Sequence, residues 1–570
     1  MSNRKPMAPA KILLTLLAVL LSGRAVNGQS RTFWWPEQQA AERYVTCRLP
    51  AGRAEAVLAQ SVAGLAARAV NDGRFNRMVW VECNRPVYEK WLKNTRRTLG
   101  IRSDGYKDVW QLVSLLKKKG IIKGYVLYSQ ENESLNPATV HAGIRDAVLI
   151  EESLRNRADG MGLQMLYDAR NESQQACWQE AGEKLNHRLV LAMKPQLAFN
   201  RDLAIAHRAM VYYGVDSVYR EILSRAEPLT PVVGWNAGPE SDHVAPPSEY
   251  ALFNTASDYC SNLTFLSAGA KEARLDKARR IDPRKIDFAQ PGSYHAFMMS
   301  DGDNMQWTMD AFFSREYYRS PAYGRVPVNW TTCSANISQM SPATWNEIVR
   351  QQKEGTTLVE FSGGYQYPDC FAKEYPDRWE KLRRFARQTG EHMNHLGISV
   401  LNLMMLHDVS SEEALQVYKI YAEEIKGLTG IVVLQYNPYH AGHGAIYWVK
   451  DRDGVEIPVV TPHYSLWGKI AGEGFGRPDQ IADRINAAAE NEESLGWTIV
   501  HAWSRYAKDG AGNIVDAKDE DRAAVRGVAA VEWCMERLAP SVHVVSLEEV
   551  LWRIRMKHDP DATRKIIDNL

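Results

Sequence analysis

Tyr294-His295-Ala296-Phe297-Met298-Met299-Ser300-Asp301-Gly302-Asp303-Asn304 is the stretch that decides the reading of this chain. A mostly apolar run passes directly into two carboxylates, a glycine and an amide. The apolar part predicts a strand buried on both faces, as in a parallel sheet covered by helices. The polar end is what such a strand carries when its C-terminal rim builds a site.

Further apolar strand candidates follow, so that the set falls at 294–300, 326–332, 356–361, 398–406, 430–436, 457–461, 497–503 and 542–547. Helical stretches separate most of them, around 305–318, 342–354, 371–396, 411–426, 478–494 and 519–538. Eight strands is the number that closes a (β/α)8 barrel, so residues 291–570 are expected to form a TIM-barrel-like α/β domain. The fifth connection departs from the rule. Ile446 to Val449, Asp451-Arg452-Asp453-Gly454 and Val455 to Val460 read as a hairpin with an Asp-Gly turn, so an irregular barrel or an inserted strand is expected there.

Catalytic groups of a parallel barrel project from the C-terminal strand ends. The first strand ends in Asp301 and Asp303, and the third in Glu360, which runs on into Phe361-Ser362-Gly363-Gly364-Tyr365-Gln366-Tyr367-Pro368-Asp369. His407 and Asp408 follow the fourth, Gln435, Tyr436, Asn437 and Tyr439 the fifth, and the seventh carries His501 and Trp503. Cleaving a glycosidic bond takes one carboxylic acid to protonate the leaving oxygen and a second carboxylate as nucleophile or base. The leading pair is therefore Asp301 or Asp303 with Glu360, and Asp408 is the reserve. Trp307, Tyr365, Tyr367, Asn437, His501 and Trp503 are expected to hold the sugar, since Trp and Tyr offer a flat apolar face with a polar edge. Taken singly, each carboxylate is equally an ordinary turn or capping residue; their grouping on several strand ends favours a site.

Two other classes of function share these residues. In one, Asp301 or Asp303 joins His407 or His501 on a divalent cation, in a metal-dependent deacetylase or hydrolase acting on a polysaccharide. An EF-hand is excluded, because Met305 and Gln306 stand where a ligand and a glycine are needed. In the other, the cleft binds glycans without chemistry. The leading reading needs no cofactor.

The N-terminal half alternates short strands with amphipathic helices, as in Met78 to Glu82, Lys107 to Lys119 and Gly124 to Tyr128, which suggests small α/β units. Residues 29–135 are expected to form one such domain and 136–290 further small units and a linker. Pro228, Pro231, Pro239, Pro246 and Pro247 concentrate in a stretch that reads as a loop-rich junction. Trp235, Asn236 and Glu240, after a strand at 231–235, are placed to reach the cleft from that side.

Arg4, Lys5 and Lys11 precede an apolar run from Ile12 to Leu21, too short for the roughly 20 residues a membrane span needs. Residues 1–28 are expected to be a secretory signal and the mature chain to be secreted or periplasmic, with no membrane attachment. Loss of that segment removes Arg4, Lys5, Lys11 and Arg24, reducing the 69 basic side chains to 65 against 68 acidic ones. Nothing in that balance attracts nucleic acid or an anionic membrane surface; the expected partner, from the strand-end carboxylates and aromatics, is a poly- or oligosaccharide. Tryptophan (17) and tyrosine (25) outnumber phenylalanine (13), the tilt expected of a sugar-binding chain. Seven scattered cysteines, without a Cys-x-x-Cys pair, predict neither a full disulfide framework nor a structural zinc site.

Ser362-Gly363-Gly364-Tyr365-Gln366-Tyr367-Pro368, with Ser300-Asp301-Gly302-Asp303-Asn304-Met305-Gln306-Trp307 upstream, resembles the GxGYxYP family of putative glycoside hydrolases. The resemblance implies a secreted enzyme with small N-terminal domains ahead of a barrel-like C-terminal domain. Ser362 stands where the motif has its first glycine. The family supplies no assignment of catalytic residues, so the roles above rest on strand ends alone.

Overall fold

The structure is a computed structural model that describes residues 32–470, 472–491 and 493–570. The expected signal segment, 1–28, lies outside the described residues. Among those described, no helix is long and apolar enough to cross a membrane.

Three small parallel sheets precede the C-terminal domain. In the first, Arg43–Cys47 lies between Arg77–Val81 and Arg102–Lys107; in the second, Gly124–Tyr128 lies between Ala147–Glu151 and Met165–Asp168. The expected break at residue 135 falls at the start of helix Leu135–Arg145, between two strands of that second sheet. The third has the order Phe253–Thr255, Pro231–Gly234, Val190–Ala192, Met210–Tyr212. Helix Arg53–Asn71, apolar nearly all round, is buried from Val57 to Val70 and packs on the first two sheets and on helix Arg201–His207, as such a composition requires. The proline-rich stretch is not a junction. It supplies a strand of the third sheet, Pro231–Gly234, and helix Glu240–Glu249, which accommodates Pro246 and Pro247.

All eight expected strands of the C-terminal half form: β1 (Ser293–Met299), β2 (Val328–Thr332), β3 (Leu358–Phe361), β4 (Val400–Met405), β5 (Gly430–Gln435), β6 (Glu456–Val460), β7 (Leu495–Val500) and β8 (Val542–Val544). They do not pair in the cyclic order expected of an eight-stranded barrel. The parallel order is β6-β5-β4-β3-β2-β1-β7, so the seventh strand pairs with the first along its length. β8 is only three residues long and reaches Ser293–His295 of β1, on the side where β2 takes Phe297–Met299. The result is a parallel half-barrel. The hairpin read from the Asp-Gly turn is present, with Ile446–Lys450 antiparallel to β6. Beyond β6, only Thr461-Pro462-His463 separate it from Tyr464–Leu466, which pairs with β7. Proline cannot donate to a ladder, and the strand breaks there between its two neighbours. The helix expected over 305–318 reduces to one turn, Met305–Thr308, and a short 3-10 segment, Ala311–Phe313.

The third sheet docks onto the half-barrel through backbone. Asn254 and Tyr365 exchange N–H to O=C bonds of 2.7 and 3.0 Å, and the Gln306 N–H donates to Ala256 O at 3.1 Å. A Cβ on Gly364 would stand 2.3 Å from the Phe253 ring, so the second glycine of the motif is what lets the two units close.

Candidate active site

Strand-end chemistry applies to both sheets at this junction. Lys194 follows Val190–Ala192, Trp235 follows Pro231–Gly234, and Asp258 comes three residues after Phe253–Thr255. These C-terminal ends face those of the half-barrel across a cavity of about 370 Å³, which Glu240 lines from the third unit and Asp301, Asp303, Asn304, Tyr365, Tyr439 and Trp503 from the other side. Crevices at the carboxyl ends of parallel strands are where α/β proteins place ligands.

The turn after β1 is held against β2. The Gly302 N–H donates to Thr331 Oγ1 at 2.9 Å, the Cys333 N–H donates to Gly302 O at 2.9 Å, and a Cβ on Gly302 would lie 2.2 Å from the Thr331 backbone. Asp301 adopts φ +66°, a left-handed conformation tolerated by Asp, and Asn304 caps the following turn by accepting from the Trp307 N–H at 3.1 Å. These constraints present Asp301 and Asp303 side by side to the cavity.

Burial raises the proton affinity of Asp301, opposed by hydrogen bonds from Ser300 Oγ and from Trp503 Nε1, the latter at 2.7 Å. Asp303 is pushed well above the ordinary carboxylate range, first by burial and then by the charges of Asp301 and Glu240. Glu240 is raised by burial and by Asp301, while the Tyr365 hydroxyl, which donates to its Oε1, works the other way. Like charges drawn together out of water cannot all stay ionised, so the set holds protons at pH values where isolated carboxylates are bare.

The structure places the remaining expected residues variously. Tyr365 and Trp503 line the cavity. Trp307 is buried behind it, edge-on to Trp503 at 5.6 Å, and Tyr367 is fully buried against Tyr365 and Tyr436. Glu360 is absent from the cavity wall: it is wholly buried on the other face of β3, where its oxygens accept from Ser334 Oγ, the Ala335 N–H (3.0 Å) and the Gly363 N–H (2.9 Å). Strand alternation is the reason, since its neighbour Phe361 takes the cavity face. Burial pushes the Glu360 carboxyl up to about 7. Asp408 is exposed and turned onto its own loop, accepting from the Ser410 N–H at 2.8 Å, which with the Ser410 hydroxyl lowers its pKa. Asn437 is exposed outside the cavity, and His501 stacks on Trp467 at 3.8 Å with Nδ1 on Ser504 Oγ. His407 pairs with Asp369 at 3.2 Å. Among the described residues, the groups of three or more potential metal ligands are His141-Glu172-Cys177 and Asp369-Cys370-His407, and neither includes Asp301 or Asp303. Neither His407 nor His501 lines the cavity that Asp301 and Asp303 share.

Trp235 and Glu240 line the cavity as expected of the segment after 231–235, whereas Asn236 is buried away from it with its side chain on Gly214; Asp258 and Lys194 are lining residues not singled out from the sequence. The same rule applied to the third sheet finds Lys194 and Asp258.

Fold and site together define a multidomain α/β protein with an acidic, aromatic-walled cavity between two sets of parallel strand ends. Residues 293–555 match the GxGYxYP putative glycoside hydrolase C-terminal domain, residues 187–268 the GxGYxYP third domain, and residues 122–186 the GxGYxYP_N second domain. The chain belongs to the GxGYxYP family. A solved structure, described as a putative hydrolase from Bacteroides thetaiotaomicron VPI-5482, shares the fold: the TM-score is 0.77 at 20% identity, over 93% of this chain and 98% of that one. No curated protein matches the chain.

Proposed function

We propose that this protein is an exported glycoside hydrolase that cleaves a poly- or oligosaccharide in the cavity between the third sheet and the half-barrel. The family description supports a carbohydrate substrate. The observation that carries the reading is the convergence of Asp301, Asp303 and Glu240, from two separate units, on one cavity walled by Trp235, Tyr365 and Trp503. Glycoside hydrolysis requires a carboxyl group that is protonated at the working pH beside one that is not, and environments that push carboxyl pKa values apart provide both.

Asp303 takes the general-acid role, because burial and the neighbouring carboxylates Asp301 and Glu240 all favour its protonated form. Glu240, on the opposite wall and oriented by Tyr365, is the second carboxylate, acting on the anomeric carbon or on its attacking water. Burial raises Asp301 as well, but the hydrogen bonds from Ser300 and Trp503 favour its ionised form over that of Asp303, and in this scheme its charge keeps Asp303 protonated. In this scheme Glu360 organises the fold and takes no part in the chemistry, and no cofactor is needed.

The test is hydrolysis of a panel of plant, microbial and host glycans by the intact chain and by Asp303→Asn and Glu240→Gln. Loss of a general acid or base costs on the order of 10²–10⁴ in rate. A glycan cleaved by the parent, with both variants reduced by that much, is the expected result; full turnover in either variant removes that residue from the mechanism.

A further inference from the structure

Asp258 stands apart from the three carboxylates used above. It lines the same cavity, yet it is only 5% exposed, and its Oδ1 is buried with no hydrogen-bond partner. Leaving a buried acceptor unmet is costly, and native structures tolerate it mainly where something else will fill the site. Asp303 draws its raised proton affinity from burial, Asp301 and Glu240, so Asp258 is not required for that task. Gln306 is fixed beside it, its Oε1 accepting from the Tyr259 N–H at 2.8 Å.

Lys194 lines the cavity from the neighbouring strand end. It is exposed and takes part in no ion pair among the described residues. Burial pushes the Asp258 carboxyl up to about 6, opposed by its own backbone N–H, by the Lys194 charge and by a hydrogen bond from the Gln306 side chain, so it is mostly ionised at pH 7 while its Oδ1 stays unmet. A carboxylate and an ammonium that share a cavity without closing on each other leave room for a group that can serve both.

We propose that Asp258 and Lys194 form a specificity subsite for a neutral, hydroxyl-bearing sugar; this rests on the carbohydrate reading above. A hydroxyl donates one hydrogen bond and accepts others, so it can give its proton to Asp258 Oδ1 while accepting from the Lys194 ammonium. A uronic acid fits worse, because its carboxylate meets Asp258 and shares the cavity with Asp301, Asp303 and Glu240, like-charge contacts in a partly desolvated pocket.

Titration calorimetry on the full chain at pH 7, with glucose, galactose, mannose, xylose and fucose set against glucuronate, tests this. At least one neutral sugar is expected to bind about tenfold or more tightly than glucuronate. Asp258→Asn is expected to weaken that neutral sugar by about ten- to hundredfold, the worth of a hydrogen bond to a charged group, and to narrow its lead over glucuronate, a change that mere loss of packing would not produce. Lys194→Met, which keeps the stem and drops the ammonium, is expected to weaken the neutral sugar as well. The subsite is overturned if glucuronate binds best, if none of the five neutral sugars binds, or if Asp258→Asn binds as the parent does. A protein that hydrolyses glycans through Asp303 yet ignores Asp258 would refute the subsite alone. One that binds sugars through Asp258 and retains full turnover in Asp303→Asn would refute the proposed acid alone.

Discussion

Replacing Glu360 by glutamine separates a structural carboxylate from a catalytic one. Its two oxygens accept from the backbone N–H groups of Ala335 and Gly363 and from the Ser334 hydroxyl, tying helix Ser334–Met340 to the Ser362-Gly363-Gly364 turn. Glutamine keeps the shape but turns one acceptor into a donor, so one buried backbone N–H loses its partner at a cost of about 1–3 kcal/mol. In a unit of this size that lowers Tm by roughly 2–12 °C. The folded-state pKa of Glu360, about 7, lies above its ordinary 4.5. A raised carboxyl contributes stability that is complete below about 4.5 and is lost as pH climbs through about 7, because the unfolded chain releases that proton first. The full difference is at most about 3 kcal/mol. Glutamine does not titrate, so the deficit of Glu360→Gln relative to the parent should be largest near pH 5 and should shrink or reverse by pH 8. Thermal unfolding followed by circular dichroism at both pH values checks it, with turnover measured on the folded variant. A deficit that grows with pH, or a variant of unchanged Tm whose turnover is abolished, would refute this assignment and return Glu360 to the chemistry.

Two other substitutions probe the junction and the charge set. Gly364→Ala drives a Cβ into the Phe253 ring, and overpacking of this kind costs about 1–3 kcal/mol; a lowered Tm together with faster proteolysis between the third sheet and the half-barrel is expected. Trp503→Phe keeps an aromatic face but removes the 2.7 Å hydrogen bond to Asp301, so kcat/KM should fall about tenfold, and an unchanged value would detach Trp503 from the charge set.

Much of this architecture could be read from the chain alone because apolar runs are local signals. All eight strands of the half-barrel, the Asp451 to Gly454 turn and the paired aspartates after β1 follow from spacing and strand-end composition. Pairing order is not a local signal. That β7 meets β1 directly, and that β8 covers only the start of β1, depends on a break at Pro462 and on a three-residue strand whose partners are hundreds of positions away. Glu360 lies off the cavity wall because a strand's end locates a residue but not its face, and one step of alternation moves a carboxylate from cavity to core. Glu240 can be placed toward the cleft because it follows a strand, but the helix that carries it is hidden in a proline-rich stretch that reads as loop, since Pro246 and Pro247 are absorbed within that helix. Ser362 shows the converse. It adopts φ +54°, the conformation for which the motif's first glycine is suited, so the turn keeps its geometry despite the substitution.

The dependence of Asp303 on its neighbour is open to direct measurement through the pH profile of kcat/KM on a glycan the protein cleaves. The alkaline limb reports the acid, and Asp301→Asn deletes a charge that holds the Asp303 proton in place while leaving Asp303 and Glu240 intact. That limb should move to lower pH in the variant, with turnover still measurable on its acid side. A limb that stays where it is, or moves upward, would contradict the account of these carboxylates as one coupled proton-holding set.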